Sequence, residues 1–283
     1  MSNILSFAVL GGDMRQTWLV RFLQENGYDV STFSVPQIPD SGAALSECLS
    51  GRRQIILPLP SFRQGLLNTS SPALTLTVEQ LLACLPCPVQ LFGARLGAAA
   101  QILEAAGHSV VDYSAMEQFA VANAVPTAEG AIQLAMEQLP ITLHRSHCLI
   151  IGFGRIGKVL ANKLHALGAY VTVSARKPSD LAMIDALGYQ SEQTGLYCAG
   201  LAQYDLIVNT VPSAVLSSEQ LTQTSPQCLL LELASTPPGG FDFEVCRSLN
   251  RTAVLGAQLP GKVAPATAGA IIAQSVLAYL QSN

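Results

Sequence analysis

Short apolar runs alternate with longer stretches of helical period along this chain of 283 residues, the pattern of parallel sheets covered by helices on both faces. The first run, Phe7-Ala8-Val9-Leu10, ends at Gly11-Gly12 and predicts a strand. A helix follows over residues 14–26, with Gly27 where a left-handed residue closes a helix. Further strands are expected at 28–33, 54–59, 89–92 and 109–112, with helical segments between them.

Around Asn123-Ala124-Val125-Pro126-Thr127-Ala128-Glu129-Gly130 the pattern changes to a helix running to about residue 139. Pro126 is placed as its first residue and Pro140 stops it. A helix joining two α/β domains is a natural hinge. Five more strands are expected, beginning with His147-Cys148-Leu149-Ile150-Ile151 and followed by 170–174, 205–209, 229–233 and 253–255. The last helix, 265–281, carries no charge, and a helix that apolar is packed on most faces. It is expected to return to the first domain. The reading is therefore α/β, with two doubly wound parallel-sheet domains and hinge helices between them. One spans 1–122 plus 266–283, the other 123–265.

Composition narrows the class. Hydrophobic residues make up 49% and charged residues 12%, which excludes disorder as the main state. No uninterrupted apolar run reaches the ~18 residues of a spanning helix, and no charged stretch precedes the N-terminal apolar run, so a cytoplasmic protein without a membrane partner is expected. A net charge of -4 without a basic stripe argues against nucleic acid. Eleven of the fifteen basic residues are Arg, the side chain suited to carboxylates and phosphates. The seven cysteines do not suggest a disulfide framework. Cys84-Leu85-Pro86-Cys87 has redox or zinc spacing but no second pair, so packed thiols and no metal are expected.

Gly152-Phe153-Gly154-Arg155-Ile156-Gly157 directly follows a strand and opens a helix ending near Gly168. In that frame the glycine pattern is a strong dinucleotide signal. Gly152 permits the tight turn, Gly154 lets backbone approach the pyrophosphate, and Gly157 allows helix and strand to pack closely. The helix start, with Arg155 and Ile156, offers N–H groups to phosphate. The second domain is thus read as an NAD(P)-binding Rossmann domain. Its second strand ends in Ser174-Ala175-Arg176-Lys177, a hydroxyl and two cations without an acid to hold a ribose 2'-hydroxyl, so NADP is preferred over NAD. Thr210-Val211-Pro212 should pass under the nicotinamide ribose.

Substrate is expected between the domains. Asp13 and Arg15 follow the first strand, where ligands collect in parallel sheets. Asn123 and Thr127 accompany one expected helix start, and Thr267 accompanies another. In both, Pro opens the helix and Gly follows four residues later. Lys262 is isolated in an uncharged segment. The two helix starts, assisted by Arg15 and Lys262, are expected to hold the carboxylates of a dicarboxylate. None of the four His (108, 144, 147 and 165) lies late in the chain, where a 2-hydroxy-acid dehydrogenase would place its proton carrier.

Together these residues resemble the dipicolinate synthase A-subunit family over essentially the whole chain. The resemblance rests on Gly11-Gly12-Asp13-Met14-Arg15-Gln16, Pro126-Thr127-Ala128-Glu129-Gly130 and the 152–157 glycine turn. Asn209-Thr210-Val211-Pro212-Ser213 and the segment 259–269 complete it. Lys262 departs from the pattern, since the family need not carry a cation there. The resemblance implies an NADP-linked oxidoreductase acting on ring carbons, which converts 4-hydroxy-tetrahydrodipicolinate to dipicolinate during sporulation in the mother-cell cytoplasm. It also implies a heteromeric complex with the flavoprotein-like B-subunit of dipicolinate synthase. Asp13 or Glu129 could be the base, and the sequence does not choose between them. Self-association stays open. Two alternatives remain: another NADP-dependent dehydrogenase of hydroxyacid or homocysteinase architecture, and a noncatalytic subunit that binds NADP or substrate.

Overall fold

The computed structural model describes residues 5–71, 74–86, 88–197, 200–234 and 239–282. The chain divides into two units, Met1–Asn123 with Ala264–Asn283, and Ala124–Val263.

In chain order the first unit contains β1 (Ser6–Leu10), α1 (Met14–Glu25), β2 (Asp29–Phe33), α2 (Leu45–Leu49), β3 (Gln54–Ile56), β4 (Phe62–Arg63), β5 (Leu66–Leu67), α3 (Val78–Cys84), β6 (Gln90–Gly93), α4 (Ala98–Ala105) and β7 (Ser109–Asp112). Its main sheet is parallel, ordered β2-β1-β3-β6-β7. Alternation along the strands sends Ala8, Leu10 and Leu91 to one face and Phe7, Val9 and Phe92 to the other, each into its own buried cluster.

Helix α5 (Glu117–Gln138) leads into the second unit, and the boundary between the units falls within it. There follow β8 (His147–Ile151), α6 (Arg155–Ala166), β9 (Tyr170–Ala175), α7 (Pro178–Ala186), β10 (Gln190–Gln193), β11 (Leu206–Asn209), α8 (Ser218–Thr222), β12 (Leu229–Glu232), α9 (Phe243–Ser248), β13 (Thr252–Leu255) and α10 (Leu259–Val263). The parallel order β10-β9-β8-β11-β12-β13 reverses direction between β8 and β11. That is the doubly wound order, with its ligand crevice beyond the strand ends at the reversal. Helix α11 (Pro265–Ser282) belongs to the first unit. Its Ile271, Ile272 and Val276 join the cluster of Phe7 and Phe92.

The expectation that Pro126 opens a helix is overturned. Pro126 lies inside the 22-residue α5. An interior proline removes one helical N–H and costs ~3 kcal/mol. The helix runs through it because Ala124, Ala128, Ala131 and Ala135 form one buried stripe at helical spacing. The expected helix start at Asn123 and Thr127 therefore does not exist, and no set of unpaired N–H groups is offered there.

Two pairing elements are not among those expected from the sequence. β10 is Gln-Ser-Glu-Gln at a sheet edge, and the β4–β5 hairpin is only two residues a side. Among the described residues no helix is long and apolar enough to cross a membrane.

Candidate functional site

The glycine turn in the second unit is shaped by three different demands. Gly152 has φ +106°, and a Cβ there would lie 2.6 Å from Thr210 Oγ1. At Gly157 a Cβ would sit 2.1 Å from the Gly152 carbonyl oxygen, so only glycine lets α6 begin so close to β8. At Gly154 a Cβ would meet nothing within 4 Å. Packing does not explain that glycine, whereas a ligand phosphate approaching the backbone would. Arg155 is exposed in the first turn of α6, and Ile156 packs on the core beneath.

A pocket of about 460 Å³ opens beside this turn. Gly152, Phe153 and Gly154 form one side, Arg176, Lys177, Asp180 and Thr194 another, and residues 210–215 a third. These groups fit a dinucleotide: backbone clearance at Gly154 and cations beyond the second strand. Ser174 does not take the place expected of it. It is fully buried and accepts a hydrogen bond from Thr194 Oγ1 at 3.1 Å, because strand alternation turns it away from the face that Ala175 presents. Asp180, in the first turn of α7, is an acid that the strand-end reading missed. It faces the same pocket as the two cations, so the pocket offers both an acid and a cation pair.

The third side is held from behind. Thr210 donates its hydroxyl to the Ile151 carbonyl at 2.9 Å, and Val211 and Pro212 line the pocket. Asn209, fully buried at the end of β11, faces Glu232 across the ladder. Burial pushes the Glu232 carboxyl above its ordinary range, opposed by hydrogen bonds from Asn209 and from the backbone at Ala234, Gly240 and Phe241. Nothing in the periodicity marked Glu232, since one acid ending an apolar strand carries no pattern.

In the first unit, Asp13 caps α1 and its box partner Gln16 completes the cap. Arg15 is 4% exposed and its guanidinium fork is spent on Asp13. Nε reaches Oδ1 at 2.9 Å, Nη2 reaches Oδ2 at 2.8 Å, and Nη2 also donates to the Leu59 carbonyl at 2.6 Å. Arg15 is thus not presented as the expected clamp for a substrate carboxylate. Burial alone would raise the Asp13 carboxyl, but Arg15's hydrogen bonds and charge, with a smaller contribution from Arg63, hold it below the ordinary value. Arg63 is an exposed cation on the β4–β5 hairpin, and no sequence signal identified it.

The remaining candidates lie on α5, α10 and α11. Thr127 is buried within α5, and Asn123 is half-buried on the same helix. Glu129 is exposed and paired with Lys163 at 2.8 Å. Lys262 is exposed in the last turn of α10, where a cation complements the helix dipole. Thr267 is exposed in the first turn of α11. The glycines that made the two expected helix starts look alike answer to packing. A Cβ at Gly130 would be 2.8 Å from Leu259 Cβ, and one at Gly269 would be 2.4 Å from the Arg15 carbonyl oxygen. Among the described residues no His, Cys, Asp and Glu cluster could hold a metal, and Cys87 of the Cys84–Cys87 spacing lies outside them.

Comparison with known proteins places the whole chain. The dipicolinate synthase A-subunit of Bacillus subtilis is 32% identical over 292 residues, covering 99% of this chain and 98% of that protein. The chain belongs to the dipicolinate synthase A-subunit family. Its residues 6–114 match the model of the N-terminal domain of the dipicolinate synthase A-subunit. Residues 100–234 match that of the D-isomer specific 2-hydroxyacid dehydrogenase NAD binding domain. The crystal structure of the Bacillus halodurans dipicolinate synthase A-subunit superposes with a TM-score of 0.88 at 28% identity, covering 100% of this chain and 99% of that one. Its Bacillus subtilis counterpart gives 0.85 at 31%, covering 100% and 98%. A transhydrogenase from Sinorhizobium meliloti, at 0.71 and 14% identity over 97% and 93%, shares the fold alone. Within this family, the second unit carries a nicotinamide-dinucleotide-binding domain of the dehydrogenase kind.

Proposed function

We propose that this chain is the NADP-dependent dehydrogenase subunit that forms dipicolinate from 4-hydroxy-tetrahydrodipicolinate. The observation that carries the reading is a nucleotide pocket in a chain similar, end to end, to the dipicolinate synthase A-subunit. Loss of water from the hydroxylated ring leaves a dihydropyridine dicarboxylate, and removal of a hydride and a proton completes the aromatic ring. The nicotinamide, when bound, supplies the hydride acceptor.

The protein's own part is to bind, orient and accept the proton. Gly154 clears the backbone for the pyrophosphate, while Arg176 and Lys177 attract the 2'-phosphate and make NADP the preferred cofactor. Asp13 is the base. Arg15 keeps its carboxylate ionised and oriented, and aromatisation offsets the weak basicity this entails. Glu129 is the poorer candidate because Lys163 already neutralises it. Arg63, whose charge reaches Asp13, takes over the carboxylate-binding role first expected of Arg15.

The partner in this reading is a second, flavoprotein-like protein, the B-subunit of the same enzyme. The setting is the mother-cell cytoplasm of a sporulating bacterium. The test adds NADP to freshly formed 4-hydroxy-tetrahydrodipicolinate with this chain by itself, with its partner by itself, and with both. NADPH and dipicolinate are followed by absorbance. Turnover requiring this chain supports the proposal, and no turnover in any mixture removes it.

A further inference from the structure

The 211–215 side of the nucleotide pocket is fastened at both ends to one buried carboxylate. At the near end, Asn209 Nδ2 donates to Glu232 Oε1 and Oε2 at 2.9 and 3.0 Å and to the Val211 carbonyl at 2.9 Å. Asn209 Oδ1 accepts the Val211 N–H at 2.9 Å, so both polar groups of Val211 are set by one amide. At the far end, the Gly240 N–H donates to Glu232 Oε2, while the Gly240 carbonyl accepts the Val215 N–H at 3.1 Å. Gly240 is held against the same amide, since a Cβ there would lie 2.0 Å from Asn209 Nδ2. The Ala234 N–H completes the set on Oε1 at 2.8 Å.

Among the described residues, every group aimed at Glu232 is a donor. An ionised carboxylate, which only accepts, satisfies them all. A protonated acid or a carboxamide must turn one donor toward another. Glu232 is 0% exposed, and an acid so placed carries a desolvation cost that an apolar residue would avoid. Its geometry accounts for its presence: the pocket wall is the loop it fastens.

We infer that Glu232 is a positioning residue for nucleotide binding, holding the 211–215 wall in shape through Asn209 and Gly240. The inference rests on reading this pocket as the dinucleotide site. Among the described residues, the groups facing Glu232 from β11, from Ala234 and from residues 240–241 are all uncharged, namely Asn209, Ala234, Gly240 and Phe241. Protonation of Glu232 itself is therefore the event that would loosen the wall.

The test is titration of the full chain with NAD, which lacks a titrating 2'-phosphate, across a falling pH series for wild type, Glu232→Gln and Asn209→Ala. Wild-type affinity is expected to weaken as the pH falls. Glu232→Gln is expected to bind about tenfold or more weakly near neutrality, with the pH dependence flattened. Asn209→Ala, which frees the Val211 end and removes one donor to Glu232 but leaves the Gly240 and Ala234 N–H groups on the carboxylate, is expected to weaken binding while retaining a pH dependence. Wild-type affinity in Glu232→Gln, or an unchanged pH profile in it, overturns the inference. Should that variant not fold, a flat wild-type profile overturns it equally. A wild type that binds neither NAD nor NADP at any pH instead removes the dinucleotide reading, and this inference with it.

Discussion

The Arg15 guanidinium meets both oxygens of Asp13 in a fork, at 2.9 and 2.8 Å, two residues apart at the start of one helix. Because the Asp13 carboxyl is held below its ordinary value of 3.8, its sign in stability is clear. The stabilisation is present above the unfolded value and is lost as pH falls through the folded one. In Asp13→Asn, the loss of urea resistance relative to wild type should be evident at neutral pH and shrink on acidification to about pH 3. A gap that grows with acid would contradict the pairing. Arg15→Ala, which strands a partly buried carboxylate, is expected to cost about 2 kcal/mol or more in the same measurement.

The glycine turn separates folding from binding. Gly157→Ala pushes a Cβ against the Gly152 carbonyl, so it should lower the melting temperature as well as nucleotide affinity. Gly154→Ala meets no protein atom. It should melt like wild type and bind NAD and NADP more weakly. Equal melting losses in the two variants would show that Gly154 serves the fold.

Arg176, Lys177 and Asp180 share one pocket, and the proposed preference for NADP rests on the two cations. Arg176→Asp should weaken NADP much more than NAD in a binding titration, and Asp180→Ala should weaken NAD more than NADP. Equal losses of the two cofactors in Arg176→Asp would sink the preference for NADP.

Gly269 lets α11 approach the backbone of α1, with a Cβ placed 2.4 Å from the Arg15 carbonyl and 2.7 Å from the Leu19 nitrogen. The rigid neighbours cannot yield as a side chain would. Gly269→Ala should destabilise by about 1–3 kcal/mol or more, read as a lowered denaturation midpoint. An unchanged midpoint would mean that α11 shifts without penalty.

The linear chain was sufficient for the double α/β architecture because buried strands and helices impose periods that survive in sequence, as in Phe7 to Leu10 and His147 to Ile151. It was sufficient for the glycine turn because tight turns and close packing restrict residue type locally. Local patterning misled at Pro126, where a buried alanine stripe outweighs the preference of proline for a helix start. It was silent on β10, whose pairing needs only backbone, and on Glu232, whose partners lie on β11 and in the turn at Gly240. Ser174 and Arg15 carry suitable chemical groups, yet strand alternation buries one and Asp13 occupies the other. Residue type and spacing thus determined the fold and the location of the nucleotide turn, since both are written in short-range sterics and periodicity. Which polar groups are left to meet a ligand was decided by tertiary structure, because burial and hydrogen bonds set by the folded chain, as between Glu232 and Asn209 or between Arg15 and the Leu59 carbonyl, leave no mark on the local pattern.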